Sequence, residues 1–457
     1  MAIRVRAWLV GIGFGLAGAC VVHAADAPQA AAPKAAPKPV PVEDFVKKPK
    51  YFAAKISPDG SYVAVTLPAG ELVTLGTIDL KNFKPGARLT FPKGERPWDF
   101  WWVGNRLVAQ VATTYGALDQ PALTGELYAV DADGRNQTYL FGYKSQGGST
   151  RIRTAESGWA RVLDARILSP KALLIGIDRF ADSGDRGARE IRKLDAQLGG
   201  SQFVNYVPLQ HPFSVTFAAN GQPLLAEGED ENGLQRIQWL DASGNEKIWR
   251  DAIPPEPNVH RSIMLRAQTD DPTQVWYKSD EGGDRLCLRR FDLGKTASSM
   301  VSCDARVDIG AVFLSPSNER PVAAYYDDGL PRTEILDPGS PDGRMIQMLE
   351  RSFEGQRVRI TSDTQDGNRM IVLVQSDRNP GDFYIFDRTT KKADYLMSLR
   401  EWIDPDQMRP MEPIRYKTRD GATIDGYLTR PAGDPKGLVP LVLMPHGGPH
   451  GARDYWA

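Results

Sequence analysis

The feature that most constrains this chain is a repeat. From Ile56 onward, short alternating apolar stretches recur at intervals of roughly fifty residues, the kind of period that marks stacked repeat units. Units begin near Ile56, Phe100, Ile167, Val215, Leu265, Phe313 and Ile360. Each also holds an alternating stretch that ends in aspartate: Asp79, Asp131, Asp195, Asp241, Asp292, Asp337 and Asp387. Seven units of about four short strands, none able to bury its own apolar face, predict an all-β seven-bladed propeller over residues 51–402. Radial stacking would cover the faces that a lone blade exposes. A β-sandwich or two unrelated β domains would not repeat so evenly. The third unit is the least regular, because Asp182-Ser183-Gly184-Asp185-Arg186-Gly187 interrupts it.

Length and composition agree with that reading. At 457 residues the chain exceeds one ordinary domain, and 43 glycines with 34 prolines suit a turn-rich β protein. Lys plus Arg (56) balances Asp plus Glu (57), so nothing electrostatic points to nucleic acid or an anionic membrane as partner. No metal-ligand spacing, dinucleotide loop or phosphate loop occurs, and neither metal nor cofactor is expected.

Arg4 and Arg6 precede an apolar stretch, Ala7 to Val22, followed by His23-Ala24, which reads as an export signal over residues 1–24. The stretch is shorter than the roughly 20 residues that span a bilayer, so no membrane span is expected once the signal is removed and the protein is placed in the periplasm. Lipid anchoring at Cys20, in Leu16-Ala17-Gly18-Ala19-Cys20, is the alternative. Residues 25–50 are rich in Ala, Pro and Lys and are expected to form a disordered tether, at least up to Val42. Export leaves Cys287 and Cys303, whose midpoint, Lys295, lies in the turn-like Leu293-Gly294-Lys295-Thr296. A hairpin there sets the two opposite each other, for a disulfide or for two free buried thiols.

Two clusters inside the repeat carry polar or aromatic chemistry. Glu227, Glu229, Asp230 and Glu231 are expected together in a loop of the fourth unit, where carboxylates could hold the free amine of a peptide or form a solvated turn. Trp98, Trp101 and Trp102 could line a binding face or fill the core.

Beyond Leu399 the repeat ends, and residues 403–457 read as the start of a second domain. Pro413 to Leu428 forms two alternating stretches around Arg419-Asp420-Gly421, a hairpin signal. Leu438 to Met444 is a continuous apolar run suited to a strand buried on both faces, and it breaks into His446-Gly447-Gly448-Pro449-His450-Gly451. An apolar strand running into His-Gly-Gly is how an α/β-hydrolase positions a loop that gives a backbone N–H to an oxyanion hole. No serine has glycine at both the second position before it and the second after, so the nucleophile elbow is not found.

The repeat, the Asp-Gly hairpin and the strand into His446-Gly447-Gly448-Pro449 together resemble the prolyl oligopeptidase family of serine peptidases, in its acylaminoacyl-peptidase and dipeptidyl-aminopeptidase branch. The resemblance implies a propeller that caps a hydrolase domain and admits short or unstructured peptides, with serine, aspartate and histidine supplied by the hydrolase domain. It puts the oxyanion N–H on Gly448, with Gly447, Pro449 and His446 supporting the loop, and leaves His450 as a surface residue. The Asp-Trp-x-Tyr-Glu-Glu run of the dipeptidyl-peptidase IV type is missing. The expected function is that of the N-terminal portion of an exported serine peptidase, truncated before its triad and inactive alone. A non-catalytic periplasmic propeller that binds a peptide or protein, and a propeller-capped esterase, are the alternatives.

Overall fold

Seven antiparallel sheets follow one another along the chain in a computed structural model. It describes residues 40–70, 72–89, 91–92, 94–114, 121–146, 158–178, 189–241, 247–263, 273–316, 320–433, 437–448 and 453–456. The blades occupy residues 53–88, 95–141, 159–207, 210–253, 261–302, 309–335 and 357–398. Within each, the strands, labelled a to d, pair in chain order with their neighbours, and among the described residues no blade borrows a strand from another. The all-β seven-bladed propeller is therefore as expected.

The central strands show why the sheets stack. Strand b of blade 7, Arg369–Gln375, is buried along Met370 to Val374, because both of its faces meet other sheets. Between blades 2 and 3, Val103, Val108, Leu127 and Ala129 pack against Ala160, Leu173 and Ile175. Burying each such branched side chain stabilises by about 1.5–3 kcal/mol, so the interfaces between sheets are the core.

The recurring aspartate has a local cause. In blades 1, 3, 5 and 7 it ends strand c, and its carboxylate accepts a backbone N–H from the turn into strand d: Asp79 from Lys81 at 2.8 Å, Asp195 from Gln197 at 2.8 Å, Asp292 from Gly294 at 3.0 Å and Asp387 from Thr390 at 2.8 Å. Aspartate favours such turns because its short side chain replaces a missing backbone acceptor. Asp131 and Asp241 instead meet the guanidinium groups of Arg106 and Arg250.

Blade 6 departs from the pattern. It has three strands, and helix α2 (Pro341–Ser352) stands where strand d would be. Ser340 caps the helix by accepting the Gly343 N–H at 2.9 Å, and Pro341 opens its first turn. Met345, Ile346, Leu349 and Phe353 then pack with Val358, Met370, Val372 and Phe386 of blade 7. The repeat reading gave no warning of a helix here.

Three further expectations need correction. Strand a of blade 3 starts at Trp159, and Ile167 sits in the a–b turn, where Asp164 Oδ1 accepts its N–H at 2.8 Å. The tether is ordered near its end. Helix α1 (Val42–Val46) lies against the last blade, with the Asp44 carbonyl accepting the Trp402 indole N–H at 2.9 Å and the Lys47 ammonium 4.1 Å above that ring. Leu438 to Met444 forms no strand. Its backbone has no neighbouring strand among the described residues, and Leu441 to Met444 are each at least 78% exposed. The export signal, Leu265 and Asp182 to Gly187 lie outside the described residues, among which no helix is long and apolar enough to cross a membrane.

Cys287 opens strand c of blade 5 and Cys303 follows strand d, and the two are joined by a disulfide with Cα atoms 4.6 Å apart. The strands turn through Leu293 to Thr296, and Thr296 has a positive φ of 52°.

Candidate functional site: the hairpin face and the His-Gly-Gly segment

The two faces of the ring differ in what rests on them. One carries the a–b and c–d turns. The other carries the b–c turns and the links between blades, and against it sits the hairpin of strands Met411–Lys417 and Thr423–Thr429. The Tyr427 hydroxyl donates to the Gly329 carbonyl at 2.8 Å, in the b–c turn of blade 6. Arg306 pairs with Asp328 at 2.9 Å and Asp425 at 3.2 Å, and the Met411 N–H reaches Asp377 of blade 7 at 2.6 Å. Gly329 is required there: its φ is +76°, and an added Cβ would stand 2.9 Å from Pro413. The Asp420 turn forms at the far end of the hairpin, with the Thr418 hydroxyl holding the Asp420 carboxyl below the usual carboxylate range.

After the hairpin, the described residues up to Gly448 form no helix or strand. His446, Gly447 and Gly448 are exposed, and nothing lies within 4 Å of an added Cβ at either glycine. Neither glycine has the positive φ that would favour glycine over other residues. The ring of His446 hydrogen-bonds through Nδ1 to the Gly447 carbonyl at 2.6 Å. The Trp456 indole N–H donates to the Met411 carbonyl at 3.0 Å, and Arg453 donates to the Asp327 carbonyl, so the last described residues return to the hairpin and to blade 6. Pro449 and His450 lie outside the described residues.

The glutamates of blade 4 are on the same face but not together in a loop. Glu227 and Glu229 belong to strand b, Pro223–Glu229. Glu227 is 4% exposed, and its carboxylate accepts from Ser214 at 3.2 Å and from Gln235 at 3.1 Å. Gln235 also accepts the Arg261 N–H at 2.8 Å, so Glu227 helps tie blade 4 to blade 5. The chain reversal begins only at Asp230, whose carboxyl is held low by the Leu234 N–H and by Arg236 and Asn232. Glu231 stands exposed at its tip. The tryptophans divide: Trp102 is 6% exposed and donates to the Lys55 carbonyl at 2.9 Å, Trp101 packs between blades 2 and 3, and Trp98 is 56% exposed.

Sequence reasoning missed a second acid pair on this face. Glu95, the first residue of strand a in blade 2, and Glu126 in strand c are 6% and 8% exposed and share the ammonium of Lys144. The Tyr139 hydroxyl donates to Glu95 at 2.6 Å, and burial pushes that phenol up to about 12. Burial also raises Glu126, with Thr124 and the Lys144 N–H opposing it. Chemically the group holds one ammonium between two carboxylates. Nothing in the linear sequence announces it, because the partners come from two strands and a 3-10 turn.

Comparison with known proteins places this architecture. No family model matches the chain. It is 25% identical over 462 aligned residues to dipeptidyl aminopeptidase BIII of Pseudoxanthomonas mexicana, covering 95% of this chain and 61% of that protein. It is 24% identical over 175 residues to dipeptidyl peptidase family member 6 of Caenorhabditis elegans, covering 33% of this chain and 23% of that protein. Among solved structures, prolyl oligopeptidase B of Galerina marginata in its apo form aligns with a TM-score of 0.54 at 13% identity, over 84% of this chain and 56% of that one. A prolyl endopeptidase structure gives 0.53 at 13% identity, over 83% and 54%. The chain thus spans about three fifths of the length of its curated relative. With a seven-bladed ring and a sequence likeness that runs through nearly all of it, the chain is similar to peptidases of the prolyl oligopeptidase family.

Proposed function

We propose that this chain is the substrate-admitting portion of an exported serine peptidase that cleaves short peptides through an acyl-enzyme. The observation that carries the reading is the likeness to a dipeptidyl aminopeptidase over 95% of the chain. In this reading the propeller shields the reaction from folded proteins, and the hairpin face looks toward the hydrolase domain that begins near residue 403. The backbone N–H of Gly448 supplies one oxyanion donor, a contribution on the order of 3 kcal/mol to the transition state, while Gly447 and His446 shape the loop. The serine, aspartate and histidine lie outside these 457 residues, and the chain alone is inactive. Arg4, Arg6 and the apolar Ala7 to Val22 support export to the periplasm.

The test is to extend the reading frame and compare both proteins with a fluorophosphonate probe and a chromogenic dipeptidyl substrate. Labelling of one serine in the longer protein and none in the 457-residue chain is the expected result. A natural stop after Ala457 with no G-x-S-x-G beyond it would defeat the proposal.

One observation favours a second reading, a peptide-binding propeller without catalysis: the ring is complete in seven blades while Leu441 to Met444 stay exposed. That reading requires the 457-residue chain to be monodisperse and to bind peptide by itself. An esterase differs from the peptidase only in leaving group, and competition between an ester and a peptide substrate in the longer protein separates the two.

A further inference from the structure

Most contacts between blades join neighbours. Among the described residues, those of Arg166 with blade 7 do not. Arg166, in the a–b turn of blade 3, donates through Nη1 to Asp363 Oδ1 at 2.6 Å and through Nη2 to Oδ2 at 3.3 Å, and Asp363 ends strand a of blade 7. In a ring of seven, blades 1 and 2 separate these partners on one side and blades 4, 5 and 6 on the other. Their contact can only run across the axis.

The first strands surround that axis, because adjacent blades approach each other most closely through them. Lys55 of blade 1 reaches Asp99 of blade 2 at 2.7 Å, and Thr361 of blade 7 donates to the Ala54 carbonyl at 3.2 Å. The a–b turns at the end of these strands form a laced rim. The Gly104 N–H meets the Ser169 hydroxyl at 2.8 Å, Gly221 approaches Leu168, the Gln365 N–H meets the Pro58 carbonyl at 2.8 Å, and Gly367 abuts Pro316. Arg166 lies over this rim in a turn fixed by Asp164, which accepts both the Arg166 and Ile167 N–H at 2.8 Å. The side chain of Asp363 is 12% exposed and that of Arg166 38%, so the carboxylate is sheltered while the arginine lies open on the rim, and the forked guanidinium geometry holds the pair in one arrangement.

We propose that Arg166 and Asp363 form a bar across the channel mouth on the a–b face, so that the opposite mouth, beside the hairpin, is the one that admits a peptide. The peptide as the admitted molecule rests on the function proposed above; the bar does not. Arg166 is accordingly an access-determining residue, placed far from the His446-Gly447-Gly448 segment and separate from it.

The test reads access directly and needs no catalysis. Lys55→Cys, in a Cys20→Ser background, puts one free thiol on the inner strand of blade 1, since Cys287 and Cys303 are paired. Labelling by a bulky dye-maleimide is compared with labelling by N-ethylmaleimide. Arg166→Ser and Asp363→Ser are each expected to raise the rate with the bulky reagent about twofold, because a second mouth then opens in parallel with the one beside the hairpin, and to leave N-ethylmaleimide unaffected. The exchanged pair, Arg166→Asp with Asp363→Arg, restores the slow rate, which also answers a single variant that folds poorly. Unchanged bulky labelling, equal acceleration of both reagents, or an exchanged pair no slower than the single variants would each overturn the bar. Failure of the peptidase proposal would appear instead in the fluorophosphonate experiment.

Discussion

Two apolar stretches of this chain are alike in composition and opposite in fate. Met370 to Val374 in blade 7 is buried on both faces, whereas Leu441 to Met444 is at least 78% exposed. Both read as strands that expect cover on two sides. The first has neighbours supplied by its own repeat, with strands a and c hydrogen-bonded along it and α2 packed over it. The second has none among the described residues. An apolar run specifies that a strand wants to be buried; only the rest of the sheet makes it one.

The sharpest way to break this comparison is in the blade 6 to blade 7 interface. Leu349→Ala in α2 removes a side chain with no exposure and is expected to cost about 2–5 kcal/mol, seen as a lower denaturant midpoint with an unchanged slope. A shift within error would mean that α2 fills no essential gap.

A smaller loss is expected from Asp387→Ala, which frees the Thr390 N–H and hydroxyl in the c–d turn of blade 7. About 1 kcal/mol is the usual worth of such a bond, and Asp387→Asn should recover most of it.

Glu126 tests the polar interior by pH. Its carboxyl is raised above the ordinary 4.5 mainly by burial, so the folded state holds that proton more tightly than the unfolded chain. Its contribution is fully favourable below the unfolded value and is lost as pH rises through the folded one. Glu126→Gln should therefore melt higher than the parent at pH 7 to 8 and lose that advantage near pH 4. The same difference at both pH values would remove burial as the cause.

The smallest effect belongs to the exposed segment. Leu441→Ser with Leu443→Ser should leave thermal stability within about 0.5 kcal/mol and reduce self-association measured by light scattering. A clear destabilisation would show that the segment is covered in solution.

How far these differences could be read in advance depends on how local their causes are. The recurring aspartates are legible because several complete a turn with residues two or three positions away, as Asp79 does with Lys81. Helix α2 has a local signal in Ser340-Pro341-Asp342, a cap followed by proline, whereas the repeat by itself predicts a fourth strand there. Strand a of blade 3 was misplaced because the turn through Arg166 is long and Ile167 looks like a strand opening. Glu227 was read as a loop residue because its neighbours are acidic, although its partners Ser214 and Gln235 arrive through strand pairing. Glu95 and Glu126 meet only through folding, and their pairing is written nowhere in a single stretch. The His446-Gly447-Gly448 pattern was legible as a motif, yet its geometry depends on strands that would have to flank Leu438 to Met444.

The ring is closed between blades 7 and 1 by side chains and loop backbone, with no strand shared across the join among the described residues. The Ile56 N–H meets the Ser362 hydroxyl at 2.9 Å, and the Lys50 N–H meets the Leu399 carbonyl at 2.8 Å. The chain arrives at this join and leaves from it. A mechanical load applied between residue 40 and the hairpin would pull on that join directly, while the other six interfaces carry little force. Stretched in a single-molecule trap, the ring is expected to yield first at low force by parting there, and a disulfide engineered across blades 7 and 1 should abolish that first step and leave the later ones.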